Sequence, residues 1–425
     1  MKKNTKKRFI AGTTPVPVSG KVFGKEEVAN AVAAARDGWW TEGRFAKRFE
    51  RDFSKLLGVR YVSLVNSGSS ANLLALCALT STVFGSRALK PGDEVITTAT
   101  SFPTTVNPII QNRMVPVFID NDLGTKNATV AGIKRAITKK TRAIMMAHTL
   151  GNPMPLGGIL EVVKKHNIWF IEDCCDALGS TYRGKPVGTF GHVATYSFYP
   201  AHQITMGEGG ALITNNPLIH RAIRQFRDWG RDCWCDTGCD NTCGKRFGWK
   251  FGGLPFGYDH KYIYSQIGYN LKLTDFQAAI GVAQLKKLPA FIKKRKENFR
   301  QLYAFFKQYK EFFILSEWED EADPCWFGFM LVVRDGAPFT RLELVRYLEE
   351  HKIATRHLFA GNLLKHPAYL GRLDVRVAGS LANSDKIMHD GFWIGVYPGI
   401  TKTMVDYMKQ VVRLFMSSKS ISVRN

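Results

Sequence analysis

The chain has 425 residues, of which 45% are hydrophobic, and a formal net charge of +23 at pH 7. This is enough for one large domain and a smaller one. No apolar run is long enough to cross a bilayer, so we predict no membrane span. The basic N-terminus is followed by no apolar segment, which argues against a secretory signal and predicts a cytoplasmic protein.

The charge surplus favours a nucleic acid, an anionic small molecule or an acidic protein as the partner. The basic residues are spread along the chain, and no nucleic-acid-binding motif accompanies them. We therefore expect no nucleic-acid partner and favour a phosphorylated substrate or an acidic electron donor.

Short β-branched runs alternate with helical stretches from about residue 55 to about residue 215. The strand candidates in chain order are YVSLV, EVITT, VPVFI, AIMMAHT, WFIED, VATYSF and GALIT. Helical stretches such as ANLLALCALTS and GGILEVVKKH lie between several of them. The alternation predicts an α/β fold with a mostly parallel sheet, helices on both faces, and ligands at the carboxyl ends of the strands.

The pattern breaks between about residues 221 and 269, where Gly, Cys and aromatic residues predict a functional insertion, Cys-rich near 231–265. Thr274 is a candidate N-cap for a long helix that begins DFQAAIGVAQLKKL. The later runs WFGFMLVV and TRLELVRYLEEH indicate a smaller α+β domain. We predict a large domain over 1–290 and a small C-terminal domain over 291–425.

Two segments are candidates for binding a cofactor. In VNSGSSANLL, Gly68 and Ser69 stand where a strand gives way to a helix, and backbone N–H groups at a helix N-terminus bind phosphate; the alternative is a Ser-rich helix cap. In WFIEDCC, Asp173 ends a buried strand and needs a cationic partner. A protonated pyridine nitrogen would be such a partner, whereas the alternative is an Asp that caps the next helix.

The run TYSFYPAHQITMGEGGALITN resembles the DegT sugar-aminotransferase family, whose members are fold-type I pyridoxal-phosphate (PLP) enzymes. The family pattern is Ser-Phe, a short turn, Lys, and then Gly-Glu-Gly-Gly before a strand. Ser197 and residues 207–210 match this pattern, and His202 stands at the lysine. Across SFPTT and IGYNLKLTDFQAAIG, the resemblance implies that Phe102 stacks on the cofactor ring. It also implies that Asn270 reaches the cofactor phosphate of the partner subunit in a homodimer.

A histidine at the lysine position changes the expected chemistry. Imidazole cannot form the covalent bond that a lysine amine makes to the cofactor, so we expect noncovalent binding with pyridoxamine phosphate (PMP) as the resting form. A pKa near neutrality suits a base. We hypothesise that His202 removes a proton from the PMP methylene after PMP condenses with a keto-sugar, so that a β-hydroxyl leaves. Tyr199 is a candidate to assist. For His202, the alternative is a structural replacement in an inactive relative. For Tyr199, the alternative is a tyrosine buried in the core.

Four cysteines in RDCWCDTGCDNTCGKRF suit zinc or an iron–sulfur centre, since a reducing cytosol disfavours disulfides. Among the histidine-bearing members of the family, one subgroup carries a [2Fe–2S] cluster with the pattern Cys, 57 residues, Cys, one residue, Cys, seven residues, Cys. That pattern is met in full by Cys175, Cys233, Cys235 and Cys243. The rival is a zinc site formed by Cys233, Cys235, Cys239 and Cys243.

Resemblance to this subgroup implies a PMP- and [2Fe–2S]-dependent C3 dehydration of CDP-4-keto-6-deoxy-D-glucose. It implies a separate NADH-dependent flavin and iron–sulfur reductase as the electron donor, and dideoxysugars of lipopolysaccharide O-antigen as the destination. The alternatives are a cluster-free PMP-dependent 3-dehydratase and a binding or regulatory protein on the same fold. In the small domain, Arg356 and His357 are candidates to reach substrate, and the alternative is that they are surface residues.

Overall fold

The computed structural model describes residues 9–422, so the basic start of the chain at residues 1–8 lies outside the described part. The strands are β1 Tyr61–Val65, β2 Glu94–Thr98, β3 Val115–Ile119, β4 Thr141–Ala147, β5 Trp169–Asp173, β6 Thr181–Tyr182, β7 Lys185–Pro186, β8 Val193–Ser197, β9 Gly210–Thr214, β10 Phe313–Ile314, β11 Ala322–Asp323, β12 Gly328–Val333, β13 Thr355–Arg356, β14 Arg376–Val377 and β15 Gly391–Gly395.

The helices alternate with these strands in the first half of the chain and dominate its C-terminal part. They are α1 Lys25–Arg36, α2 Arg44–Leu57, α3 Gly68–Ala78, α4 Pro103–Gln111, α5 Val130–Ala136, α6 Leu156–His166, α7 Pro217–Arg227, α8 Asp275–Phe306, α9 Arg341–Glu350, α10 Ala382–Asp390 and α11 Lys402–Ser422. None of the helices within residues 9–422 combines the length and the apolar character that a membrane span needs.

The main sheet has eight strands in the order β1-β9-β8-β5-β4-β2-β3-β14. The five neighbouring pairs from β8 to β14 are parallel, and the two pairs that β9 makes are antiparallel. The predicted mostly parallel sheet is therefore confirmed. β5 lies inside the sheet, and its carboxyl end carries Asp173.

Alternate residues of each central strand enter two different cores, which places helices on both faces as predicted. In β4, Ile144 packs into a core with α2, α5 and α6, whereas the adjacent Ala143 packs with α3 and α7. Near-continuous apolar runs mark strands buried on both faces, which is why five of the predicted strand runs match β1, β2, β3, β5 and β9 residue for residue.

A second sheet, ordered β10-β12-β15-β13, is antiparallel and packs with the end of α8 and with α9 and α11. Thr274 is the N-cap of α8, as predicted, and the structure adds a capping box with Gln277. The predicted boundary at 290/291 falls inside this 32-residue helix, and β14 returns to the main sheet. The division into two domains stays a prediction.

The Cys-rich insertion between α7 and α8 contains the short 3-10 helix His260–Tyr262 but no α-helix or strand within the described residues. Its base is anchored because Thr237 donates a hydrogen bond of 3.3 Å to Glu42, which pairs with the buried Arg227 at 2.7 Å. Several aromatic side chains of the insertion, among them Phe256 at 74% exposure, face outward.

Candidate functional site

A cavity of about 410 Å³ lies at the carboxyl ends of β4, β5 and β8, where a parallel sheet is expected to hold ligands. Seven of the predicted catalytic and cofactor-binding residues line it together: Gly68, Ser69, Phe102, Asp173, Ser197, Tyr199 and His202. Cys175 lines it as well. The structure thus brings together side chains that are distant in sequence.

The N-terminus of α3 forms one wall of this cavity. Ser67 is the N-cap, and its side chain accepts a hydrogen bond of 3.1 Å from the backbone N–H of Ser70. A Cβ on Gly68 would lie 2.4 Å from the Cβ of Ser197, so only glycine lets β8 approach this closely. The first backbone N–H groups of the helix are left for an anion at the cavity wall.

Asp173 is buried in the floor of the cavity and is held by neutral donors. Its Oδ2 accepts hydrogen bonds from Asn72 at 2.8 Å and Thr105 at 2.7 Å, and its Oδ1 accepts one of 3.0 Å from the backbone of Cys175. Within residues 9–422, no lysine, arginine or histidine forms an ion pair with it. A buried carboxylate without a cationic partner suits a protonated pyridine nitrogen.

His202 lies on the turn after β8 and is 14% exposed at its side chain. Its ring centroid lies 5.3 Å from that of Phe327, and its Nδ1 lies 3.4 Å from Oδ1 of Asp176. Burial raises the pKa of Asp176, an effect that the nearby His202 partly offsets. Among the described residues that line the cavity there is no lysine, and His202 contributes an imidazole to the lining.

Two aromatic residues border the opening of the cavity. Tyr199 is 51% exposed, so the alternative of a buried core tyrosine is wrong. Phe102 is 49% exposed and meets the ring of Phe359 edge to face at 5.8 Å between centroids. The sequence did not point to Phe359 or Phe327, because both approach the cavity from the C-terminal part of the chain.

Asn270 lies outside the cavity of its own chain. It is exposed and forms an isolated backbone bridge with Asp228 at the edge of the insertion. Arg356 and His357 do not line the cavity either. His357 lies 3.4 Å from the guanidinium of Arg341, and burial together with that charge lowers its pKa.

The cysteines are divided between two places. Cys233, Cys235, Cys239 and Cys243 surround a separate small cavity within the insertion, whereas Cys175 faces the large cavity. Burial opposes the ionisation of Cys235, but hydrogen bonds from Thr242 and Cys233 lower its pKa to about 7. Burial and Asp173 raise the pKa of Cys175. The zinc set therefore lines one cavity, but within residues 9–422 no three of its sulfur atoms lie within 4.8 Å of one another, and the cluster set is divided between two cavities.

One group of potential ligands within residues 9–422 has its ligand atoms within 4.8 Å of one another: His148, Glu172 and Cys174. The backbone N–H of Met154 donates to Nδ1 of His148, so the proton is on Nε2, which donates to Glu172 at 3.0 Å. Glu172 also accepts backbone hydrogen bonds from Gly188, Phe190 and Gly191. With its acceptor positions filled, this group stabilises the end of β5 and leaves no position for a metal.

A mostly parallel sheet, with a helix N-terminus and a buried aspartate at the ends of its central strands, is typical of the fold-type I architecture of PLP-dependent enzymes. Residues 22–413 match the family described as the DegT/DnrJ/EryC1/StrS aminotransferase family. The chain belongs to this family.

Two relatives show how far the likeness extends. The lipopolysaccharide biosynthesis protein RfbH of Salmonella typhimurium is 54% identical over 402 residues, which covers 95% of this chain and 92% of the relative. The dTDP-4-dehydro-2,6-dideoxy-D-glucose 3-dehydratase of Saccharopolyspora spinosa is 50% identical over 412 residues, which covers 97% of this chain and 89% of the relative.

Among solved structures, the E. coli GDP-4-keto-6-deoxy-D-mannose-3-dehydratase with bound hydrated PLP superposes with a TM-score of 0.83. It is 29% identical, and the match covers 93% of this chain and 98% of that chain. The predicted fold class is therefore confirmed by the sheet topology, the family and the solved structures together.

Proposed function

We propose that the chain is a PMP-dependent 3-dehydratase of a nucleotide-linked 4-keto-6-deoxy sugar, in dideoxysugar biosynthesis for lipopolysaccharide. The observation that carries the proposal is His202 in a cavity built for PLP or PMP, with no lysine among its described lining residues. The names of the relatives support it, because one is a 3-dehydratase at 50% identity and another belongs to lipopolysaccharide biosynthesis at 54%.

The residues of the cavity fit the cofactor at both of its charged ends. The N–H groups at Gly68 and Ser69 would hold the phosphate, and Asp173 would hold the protonated pyridine nitrogen. Ser197 and Phe102 would contact the cofactor from the sides, Phe102 across the ring face. When bound, the cofactor supplies an electron sink beside its methylene carbon.

The side chains around the cofactor divide the proton chemistry between them. His202, 14% exposed and packed on Phe327, would take and return a proton at a ring nitrogen. The hydroxyl of the exposed Tyr199 would protonate the departing C3 hydroxyl of the substrate. Phe102 and Phe359 would limit the access of water at the opening.

The product distinguishes the proposed reaction from amino transfer. The purified chain is incubated with PMP, the keto-sugar nucleotide and a reductase, and the product is identified by mass. We expect a product that has lost the C3 oxygen. An amino sugar, or unchanged substrate in a preparation that binds PMP, would contradict the proposal.

For the substrate, we propose CDP-4-keto-6-deoxy-D-glucose, which would make the enzyme a CDP-4-keto-6-deoxyglucose 3-dehydrase. The support is the cysteine spacing of the subgroup, together with a charge of +23 that favours an anionic nucleotide. A relative at 50% identity is named for a dTDP sugar. Initial rates on the CDP-, dTDP- and GDP-linked forms of the same keto-sugar decide which nucleotide the enzyme prefers. A higher kcat/KM for the dTDP or GDP form would overturn the assignment to CDP.

We further propose that Cys175, Cys233, Cys235 and Cys243 would hold a [2Fe–2S] cluster and that the partner of the chain is an NADH-dependent flavin and iron–sulfur reductase. Only the spacing supports this set. In the described structure Cys175 lines a different cavity from the other three, so the residues as placed do not fit a cluster.

A matched pair of variants tests the ligand set. Cys175→Ser should lose iron and acid-labile sulfide, whereas Cys239→Ser should keep both. A zinc site formed by the cysteines of the insertion predicts the reverse, with zinc lost from Cys239→Ser alone. An iron-replete preparation that holds neither iron nor sulfide, yet dehydrates the substrate, would identify the cluster-free alternative.

We also propose a homodimer in which Asn270 completes the cofactor site of the partner. Asn270 is exposed, and the adjoining Ile267 is 95% exposed and Tyr264 is 55% exposed. An apolar edge of this kind suits burial against a second copy. Light scattering at micromolar concentration should give twice the 47.8 kDa of one chain, and Asn270→Ala should weaken PMP binding. A monomer that binds PMP with unchanged affinity would contradict this arrangement.

A further inference from the structure

The side chain of Asp176 faces the imidazole of His202 from the floor of the cavity. Asp176 is 9% exposed and lies three residues beyond Asp173, on the segment that follows β5. Its Oδ1 is 3.4 Å from Nδ1 of His202. Nδ1 is shielded from solvent and has no hydrogen bond of normal geometry within the described residues, so Asp176 is the acceptor within reach.

The turn that carries His202 is fixed from behind by Arg295 of α8. This guanidinium is fully buried and donates to the carbonyl oxygen of His202 at 2.9 Å and of Ala201 at 3.2 Å. Its other terminal nitrogen donates to the carbonyl oxygens of Trp326 and Phe327. Arg295 therefore ties the turn of His202 to the segment that supplies Phe327, against which the imidazole ring packs.

We infer that Asp176 is a positioning residue that holds the proton of neutral His202 on Nδ1 and leaves the lone pair of Nε2 free in the cavity. A carboxylate on one ring nitrogen sets the tautomer and the orientation of the ring, and it stabilises the charge that appears when the other nitrogen accepts a proton. A distance of 3.4 Å is at the long end for a hydrogen bond, but such contacts often tighten when substrate binds. The inference rests on the proposed role of His202 as a base.

The tautomer can be measured without turnover. The PMP-loaded protein is labelled with ¹⁵N at histidine, and the signals of His202 are those lost in His202→Asn. We expect a protonated Nδ1 and an unprotonated Nε2 in the native chain, and the opposite tautomer or a mixture in Asp176→Asn. A native chain with the proton on Nε2 would overturn the inference even if the dehydration occurs.

Kinetics give the second measurement. Asp176→Asn should lower kcat by about 10²–10⁴-fold with little change in KM, as the loss of an orienting carboxylate does in a serine protease. Asp176→Glu should recover part of the rate because the carboxylate returns. The control Asp374→Asn removes an exposed carboxylate that pairs with Arg372, and it should change neither readout.

These outcomes separate the inference from the proposed function. If the native chain shows the expected tautomer but no dehydration, the function fails and the placement of Asp176 stands. If dehydration occurs and Asp176→Asn retains both the native tautomer and the native kcat, the inference fails and the function stands. A variant that loses kcat together with PMP binding and thermal stability, while it keeps the native tautomer, would assign Asp176 a structural role and contradict the inference.

Discussion

The cofactor cavity and the Cys-rich insertion contain most of the side chains proposed to bind a cofactor or a metal, but they are built differently. The cavity is formed by strand ends and a helix N-terminus, and Asp173 within it is 4% exposed and held by three hydrogen bonds. The insertion is a loop without regular strands whose cysteines are partly exposed. Strands and helices hold side chains in precise positions, whereas a site on a loop gains its geometry when ligands or a partner bind.

This contrast explains why the two candidate sites differ in completeness within a single chain. The residues proposed to hold PMP converge on one cavity, apart from Asn270, which is expected to serve the partner subunit. The residues proposed to hold a cluster are divided between that cavity and the insertion. We expect changes in the cavity to act on the rate of dehydration or on cofactor binding, according to the residue changed, and changes in the insertion to act on metal content first.

The largest effect should come from the imidazole itself. His202→Asn removes the proposed base but keeps a side chain of similar polarity, so the rate of dehydration should fall by about 10²–10⁴-fold. PMP affinity, measured by fluorescence titration, should change little because the phosphate and the ring nitrogen are held elsewhere. Dehydration at the native rate would exclude His202 as the base.

A methyl group at the helix N-terminus should have the next largest effect. In Gly68→Ala the new Cβ would lie 2.4 Å from the Cβ of Ser197, so the wall of the cavity must shift. We expect a loss of about 1–3 kcal/mol in the free energy of unfolding, and weaker PMP binding. In the matched control Gly253→Ala the Cβ meets nothing within 4 Å, so stability and PMP affinity should be unchanged. Equal behaviour of the two variants would contradict the close approach.

A carboxyl group beneath the insertion should make stability depend on pH. Burial, and then the charge of Glu42, raise the pKa of Glu50 from 4.5 to about 7 in the folded chain. Because the folded state holds this proton more tightly, the contribution of Glu50 to stability is full below about pH 4.5 and is lost as pH rises through about 7.

Glu50→Gln should therefore be more stable than the native chain at pH 8, by about 1–2 kcal/mol after allowance for the partial exposure of Glu50. At pH 5 the two should have nearly equal stability. Urea unfolding at both pH values measures the difference. A gain that is the same at pH 5 and pH 8 would show that the charge of Glu50 is not the cause.

The smallest of these effects is expected at the opening of the cavity. Tyr199→Phe keeps the ring and removes the hydroxyl proposed to assist the departing C3 hydroxyl, so kcat should fall by about tenfold with KM nearly unchanged. Phe102→Leu is the matched change on the other side of the opening and should weaken PMP binding instead. If Tyr199→Phe raised KM alone, Tyr199 would be a binding residue and not an acid.

Much of the fold could be predicted because its signals are local. Short strand-like runs predict β1, β2, β3, β5 and β9, and Thr274 as a candidate N-cap predicts the start of α8. The sequence marks the start of α3 less sharply, because Gly68 and the serines after it are weak helix formers. In the structure Ser67 is the N-cap and these residues form the first turn of the helix.

The remainder of the site depends on contacts between distant parts of the chain. Phe327 and Phe359 reach the cavity from the C-terminal part of the chain, and nothing in their local sequence marks them. Asp176 lies three residues after the predicted Asp173, so the sequence places it near the cavity. Its contact with His202 depends on how two strand ends meet, which the sequence does not show. Cysteine spacing along the chain gives no distances in space, so the structure leaves Cys175 and the insertion apart.

Residue 202 is proposed to occupy the position of the covalent lysine, so that the native chain holds its cofactor without a covalent bond. The direct measurement is borohydride reduction of the PLP-loaded native chain and of His202→Lys, followed by peptide mass analysis. We predict a phosphopyridoxyl adduct on residue 202 of the variant and none on the native chain. An adduct on a lysine of the native chain would contradict noncovalent cofactor binding. A variant that binds PLP but gains no adduct at residue 202 would contradict the placement of this residue at the lysine position.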